Sequence, residues 1–389
     1  MNIHIITSSF PEYSGDASGT AGLFVRQFAV ELAELGHNVI VQPAARKQRY
    51  QSEPGLTIVP TPWKAGDQEL ASMNFKNPIN WMIFIHFFIF GIKNTLKINE
   101  KYNIEKTLCM WAVPSGIFGL IGKTKQNIPY DVWVLGSDIW KIRKIPYLGR
   151  VLLRNVMKGA KRVYADGLQL CHDVKELTGV PCEFLATSRI LPPPRKKILF
   201  PEKQEIRHFL FVGRYHINKG PDLLIRAITA IPEEIRQSIR VHMFGLGPME
   251  NDLKKLITDN RMEKFINLHG PIEAQELANY LDSVTYLVIP SRIESIPLIF
   301  SDALQIGTPV VAMPVGDLKS LIRQYNCGLV AEEVSAKSLA DAITRASLLD
   351  KSVFLNNITN AYAQFDLTAT VTKWLNFESR PADTGKVAS

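Results

Sequence analysis

Apolar and polar positions along the chain follow two rhythms. Short runs of branched and aromatic residues, bounded by Gly, Pro and charge, read as strands buried on both faces. Stretches with apolar residues three and four apart read as helices packed on them. The first unit is a strand over 3–7, a helix over 21–34 and a return to a second strand over 36–42. Leu23, Phe24, Phe28, Ala29, Leu32 and Leu35 share one face of that helix, and Gly36 follows its end as a C-terminal cap. A β-α-β start predicts a parallel sheet with right-handed crossovers. Further strands are expected at 57–59, 106–110, 130–135 and 162–165.

At LPPPRKK (191–197) the rhythm breaks. Three prolines followed by three cations make a stiff extended linker. The second half then restarts, with strands at 208–212, 238–244, 266–268, 285–289 and 309–312. Helices are expected between them at 221–231, 250–258, 276–281 and 297–306, and a last helix over 372–378. Residues 380–389 read as a loose tail. The expectation is two tandem doubly wound, Rossmann-like α/β domains, 1–195 and 205–365, with a cleft between them. A C-terminal helix within 366–380 is expected to return toward the first.

The bulk numbers narrow the class. At 389 residues, 46% hydrophobic and 21% charged, the chain can bury two cores. Cys109, Cys171, Cys182 and Cys327 form no CxxC pair, which argues against a disulfide framework or zinc site and for a cytoplasmic, reducing setting. The apolar run WMIFIHFFIFGI (81–92) is too short to span a bilayer. It reads as a packing helix, with an interfacial membrane helix as the sharper alternative. The net charge of +8 is concentrated in Lys141, Arg143, Lys144, Arg150, Arg154, Lys158, Lys161 and Arg162. A solvated basic helix is the bland reading; attraction to an anionic membrane surface or acceptor is the sharper one. No nucleic-acid-binding motif accompanies the charge.

Two loops carry the most chemistry: FVGRYHINKG (211–220) and IPSRIESIPLIFSD (289–302). Each reads as strand, charged loop and first turn of a helix. In an open parallel sheet such loops converge on one crevice. Arg214 offers a planar fork and Lys219 a point charge at a helix N-terminus begun by Pro221, a setting for phosphate. Glu294 and Asp302 offer carboxylates to sugar hydroxyls. A ligand with a diphosphate at one end and hydroxyls at the other fits both. Gly213, Gly245, Gly247, Ile296 and Leu298 line the same crevice in this reading. The loop SGDASGTAG (14–22), ending at Gly22, and the strand ends WAVPSG (111–116) and WVLGSD (133–138), with Ser137 and Asp138, face them from the first domain. Helix capping is the plain alternative for Ser137 and Asp138. No full GxGxxG fingerprint follows the first strand, so a dehydrogenase is disfavoured.

On these motifs the second half resembles the retaining, nucleotide-sugar-dependent glycosyltransferases of family four, the "glycosyl transferases group 1" type, whose two Rossmann-like domains form the GT-B fold. GTPVVAMPVG (307–316) is similar to that family's pattern as well. The resemblance implies that Arg214 and Lys219 contact the diphosphate. It places the family's Glu-x7-Glu on Glu294, for a sugar hydroxyl, and on Asp302, one methylene shorter, for ribose. Arg214, Lys219 and Glu294 become the expected catalytic set, with no metal and no cofactor. The implied partners are a nucleotide-sugar donor and a glycan or lipid-linked acceptor of cell-surface polysaccharide synthesis, with the enzyme cytoplasmic or peripheral at the inner membrane face. The family's N-terminal His is missing from the strand ends at Met110 and Gly136. That absence suggests a non-catalytic nucleotide-sugar-binding scaffold as one alternative; a GT-B epimerase or phosphorylase is a second, separate one.

Overall fold

The computed structural model describes residues 1–11, 22–45, 53–65, 73, 77–142, 147–200 and 206–376. Two parallel sheets organise them. The first holds β1 (Asn2–Thr7), β2 (Asn38–Ala45), β3 (Leu56–Ile58), β4 (Thr61–Pro62), β5 (Lys106–Met110), β6 (Tyr130–Val134), β7 (Arg162–Ala165) and β8 (Glu183–Phe184). Its order is β3-β2-β1-β5-β6-β7-β8, with β4 beside β2. The second holds β9 (Arg207–Val212), β10 (Ile239–Phe244), β11 (Ile266–His269), β12 (Tyr286–Ile289), β13 (Val310–Ala312) and β14 (Gly328–Val330), ordered β11-β10-β9-β12-β13-β14. In each sheet the winding reverses once, between β1 and β5 and between β9 and β12. Those reversals are where a doubly wound sheet opens a binding crevice.

The first domain carries α1 (Leu23–Glu34), α2 (Pro78–Lys101), α3 (Ser115–Gln126), α4 (Ser137–Ile142), α5 (Leu148–Gly159) and α6 (Leu168–Thr178). Phe24, Val25, Phe28, Ala29 and Leu32 bury one face of α1 against the sheet, and Phe28 meets Trp133 edge-on with centroids 5.3 Å apart. The second domain has its own core, from Phe209 and Leu210 on β9 to Phe300 and Ile343 on its helices.

One sequence expectation changes. The apolar run 81–92 is the first part of a 24-residue helix, long and apolar enough by length and composition to cross a bilayer. Its second half is nevertheless bound to the sheet. Gln42 donates to the Gly91 carbonyl at 3.0 Å and accepts from Thr95 at 2.9 Å, and Asn99 meets buried His4 at 3.0 Å. With Nε2 unpartnered and burial opposing its charge, the His4 imidazole is pushed down to about 4 and stays neutral.

The last described helix, Leu367–Asn376, starts before the expected 372 and lies on α1 of the first domain. Trp374 stacks edge-on to Phe28 and donates to Asp131 at 3.0 Å, where Lys106 also pairs at 3.1 Å. The chain therefore crosses back to its starting domain. The expected tail, 380–389, lies outside the described residues.

Candidate active site

The loops after β9 and β12 meet at the reversal point of the second sheet. Their approach requires glycine. A Cβ on Gly220, whose φ is +67°, would lie 2.0 Å from the Pro290 carbonyl oxygen. The backbone N–H of Arg292 donates to Asn218 O at 2.8 Å, and the Arg292 guanidinium grips Asp222 with two bonds of 2.8 and 2.6 Å. This clasp ties the loop after β12 to the first turn of the helix Pro221–Ala230 and holds the Asp222 carboxyl below its usual range.

Inside the clasp the Lys219 ammonium bonds directly to Glu294, which also accepts from the Ser291 hydroxyl at 3.1 Å. Lys219 and Glu294 line a small crevice with Val212, Pro290, Ser291 and Pro297. Tyr215 anchors the neighbouring loop from below, donating to the carbonyls of Met243 (2.7 Å) and His269 (3.0 Å). Arg214, beside it in sequence, is displayed on the exposed side. Gly213 sits at the end of β9. Gly245 and Gly247 serve the packing of the two loops: a Cβ on Gly245 would stand 2.0 Å from Gly213 O, and one on Gly247 2.4 Å from Tyr215 O.

The first domain closes over this region from its own strand ends. At Gly167, just past β7, a Cβ would lie 2.3 Å from Ser295 Oγ and 2.6 Å from Asp317 Oδ2 of the second domain. Asp317 accepts from the Gln169 backbone N–H at 3.1 and 3.3 Å, so a carboxylate of one domain caps helix α6 of the other. Asp166 is buried in this seam with Oδ1 unpartnered. Burial, opposed only by the Ser295 hydroxyl and reinforced by Asp138, Glu294 and Asp317, pushes its carboxyl up to about 7.

Residues 194–362 match the family model "Glycosyl transferases group 1". The second domain is thus similar to the glycosyl transferases group 1 family. A D-inositol 3-phosphate glycosyltransferase of Arthrobacter sp. (strain FB24) is 36% identical over 140 residues, covering 35% of this chain and 33% of that protein. The chain thus matches about a third of the length of such curated relatives. The sucrose-phosphate synthase of Thermosynechococcus elongatus superposes with a TM-score of 0.76 at 16% identity, over 97% of this chain and 98% of the other. Anabaena HepE, solved in complex with UDP, gives 0.71 at 14% identity over 97% and 100%. These likenesses establish the GT-B fold.

Within this glycosyltransferase fold the expected residues divide. Lys219 and Glu294 share one crevice, with Ile296 buried and Leu298 half-buried close by in sequence, while Arg214 lies exposed on the loop after β9. Asp302 does not face it as an open carboxylate. It is fully buried, and Arg189 of the interdomain linker takes both its oxygens, with bonds of 2.9, 3.2 and 2.6 Å. The side chain one methylene shorter than Glu ends against the linker. Asp138 is buried too, accepting from the N–H of Ala112 at 2.6 Å and of Leu135 at 3.4 Å. It fixes the turn after β5, and burial raises its carboxyl to about 6. Ser137 begins α4. Gly22 caps α1, where a Cβ would lie 2.7 Å from the Phe10 backbone, while 14–21 of its loop lie outside the described residues. Sequence reasoning missed Arg292, Arg189, Asp166, Ser295 and Asp317. Their partners lie 70 to 148 residues away, so no local spacing signals them.

Proposed function

We propose that the protein is a retaining glycosyltransferase that moves a sugar from a nucleotide-sugar donor to a glycan or lipid-linked acceptor in cell-surface polysaccharide synthesis. The observation that carries this reading is the Lys219–Glu294 pair at the reversal point of the second sheet. A cation and a carboxylate that hold each other across an otherwise narrow crevice are poised to be parted by a ligand that is anionic at one end and hydroxylated at the other. The diphosphate takes Lys219, Arg214 and the N-terminus of the helix Pro221–Ala230. Glu294 then accepts from a sugar hydroxyl.

In the proposed reaction the anomeric C–O bond to phosphate breaks and its electron pair leaves with the phosphate oxygen. The acceptor hydroxyl adds from the same face, and its proton passes to that departing oxygen. The protein's part is to stabilise the growing charge on the diphosphate with fixed cations and N–H groups, an oxyanion-type effect that asks for no metal or cofactor.

A thermal-shift screen against UDP-, GDP- and ADP-sugars tests the donor. One nucleotide class should raise the midpoint, by the equivalent of about 2.7 kcal/mol at 100 times its dissociation constant. Arg214→Ala and Glu294→Ala should each abolish the shift. A screen with no shift, or shifts untouched by both substitutions, would overturn the site. Donor consumed only when acceptor is added separates transfer from epimerisation, and NMR of the product's anomeric centre reads retention.

A further inference from the structure

We infer that Cys171 and Cys182 form a redox-responsive pair, which a small disulfide reagent of the glutathione type converts to an intramolecular disulfide that staples α6 to β8. The two stand eleven positions apart in the sequence, a spacing that signals nothing by itself. The fold brings them together. Cys171 lies one turn into α6, and Cys182 immediately precedes β8. Gly179, at φ +73°, ends the helix and turns the chain back, its N–H donating to the Lys175 carbonyl at 2.8 Å. Thr178 braces the turn, donating to Val174 O at 2.7 Å and accepting from the Val180 N–H at 3.2 Å. β8 is held in turn beside β7, with Ala165 opposite Phe184 and Arg162 paired to Glu183 at 3.1 Å.

Both cysteines pack against one apolar cluster, which includes Val163, Leu170 and Val174, and the Cys182 thiol is hydrogen-bonded to Cys171. Each is half-buried at the edge strand of the first sheet, within reach of a small reagent. The other two cysteines differ. Cys109 within β5 and Cys327 in the second domain are fully buried, and burial pushes both thiols up, that of Cys327 to about 12.

The bond to Cys171 and burial push the Cys182 thiol up as well, so Cys182 keeps its proton and Cys171 attacks first. The Cys171 thiolate bonds to one sulfur of the reagent, the reagent's S–S bond breaks, and one thiol departs with the electron pair and takes up a proton. Cys182 then releases its proton and attacks the Cys171 sulfur, expelling the second thiol. The protein gives up two electrons and two protons, and the reagent is reduced to two thiols. Because the pair is held on a braced turn, the second step is intramolecular and outruns capture by more reagent. The staple joins two elements through which the first domain meets the second. α6 begins under the Asp317 carboxylate, and β8 runs on into the linker that Asp302 holds at Arg189.

No donor is needed to test this. The full chain is equilibrated in glutathione buffers of rising oxidised fraction, alkylated and mapped by mass spectrometry. The expected product has lost two hydrogens and carries one cross-link, Cys171 to Cys182, which dithiothreitol reverses. Cys109 and Cys327 should take alkylating agent only after unfolding. The oxidised chain should melt at a higher temperature than the reduced one and exchange amides across 168–184 more slowly. Cys182→Ser should stop with glutathione held on Cys171, and Cys171→Ser should take up none; the wild-type map stands whether or not these variants fold. No cross-link in the wild type, a mixed disulfide that persists there, or a cross-link through Cys109 or Cys327 would each overturn the pair. A cross-link that leaves both the midpoint and the exchange unchanged would overturn the staple.

Discussion

Single side chains at this site are distinguished by what burial does to their charge. Lys219 and Glu294 are partly open and satisfied by one another, so a ligand can separate them at modest cost. Asp302 is sealed in with Arg189, and removing either partner would leave an uncompensated buried charge. Asp166 is the unusual case: a seam carboxyl with an unpartnered oxygen and a level raised to about 7. An unfolded Asp titrates near 3.9. Between those values the folded chain holds a proton that the unfolded chain has released, so Asp166 makes stability fall as pH rises from about 4 to about 7 and not beyond. Asp166→Asn removes that dependence. The difference in unfolding free energy between variant and wild type should move in the variant's favour by roughly 1 kcal/mol per pH unit across this window, then level off. Denaturant unfolding at pH 5, 6, 7 and 8 measures it, and parallel curves for the two proteins would refute the assignment.

Elements were legible where their signal is local. The strands at β1, β5, β7, β9, β10, β12 and β13 and the helix α1 follow from apolar runs and from one buried helical face. What escaped was built on weak or distant signals. The helix Ala336–Ser347 buries four alanines or other small residues beside Leu339 and Ile343, and a face so poor in large side chains barely registers as a pattern. β14 has three residues and β8 two, too short for any period to show. Arg214, Lys219 and Glu294 stood out because they follow strands in charged loops, whereas the Arg292–Asp222 clasp joins elements 70 residues apart. The loop geometry at Gly220 makes this concrete. Alanine there costs about 1–2 kcal/mol for the left-handed backbone alone. Its Cβ must also displace the Pro290 carbonyl. Gly220→Ala should therefore lower the melting midpoint and erase the donor-induced shift, even though it removes no charged group. A variant with normal donor response would show that the loops need not approach so closely.

At the scale of the whole molecule, three joints of different chemistry between the two domains stand out among the described residues. The linker is held from both sides: Ile190 exchanges bonds of 3.0 and 2.7 Å with Gln27 of α1, and Leu191 exchanges bonds of 2.9 and 3.1 Å with Gln305. The final helix returns to the first domain through Trp374. The third, Asp317 on the α6 N-terminus, lies beside Glu294's loop and exists only while the seam is shut. Its loss should open the seam without unfolding either domain. A helix cap is worth about 1 kcal/mol, close to a fivefold change in an equilibrium constant. Asp317→Ala should therefore shift the closed population by about that factor and weaken donor affinity to match, because a donor that needs both strand ends must first close them. Small-angle scattering should show a larger radius for the variant, faster amide exchange at 167–170, and a melting midpoint near wild type. A radius and donor affinity both unchanged would mean that the linker and final helix alone hold the domains together, and that Asp317 merely caps a helix that was already in place.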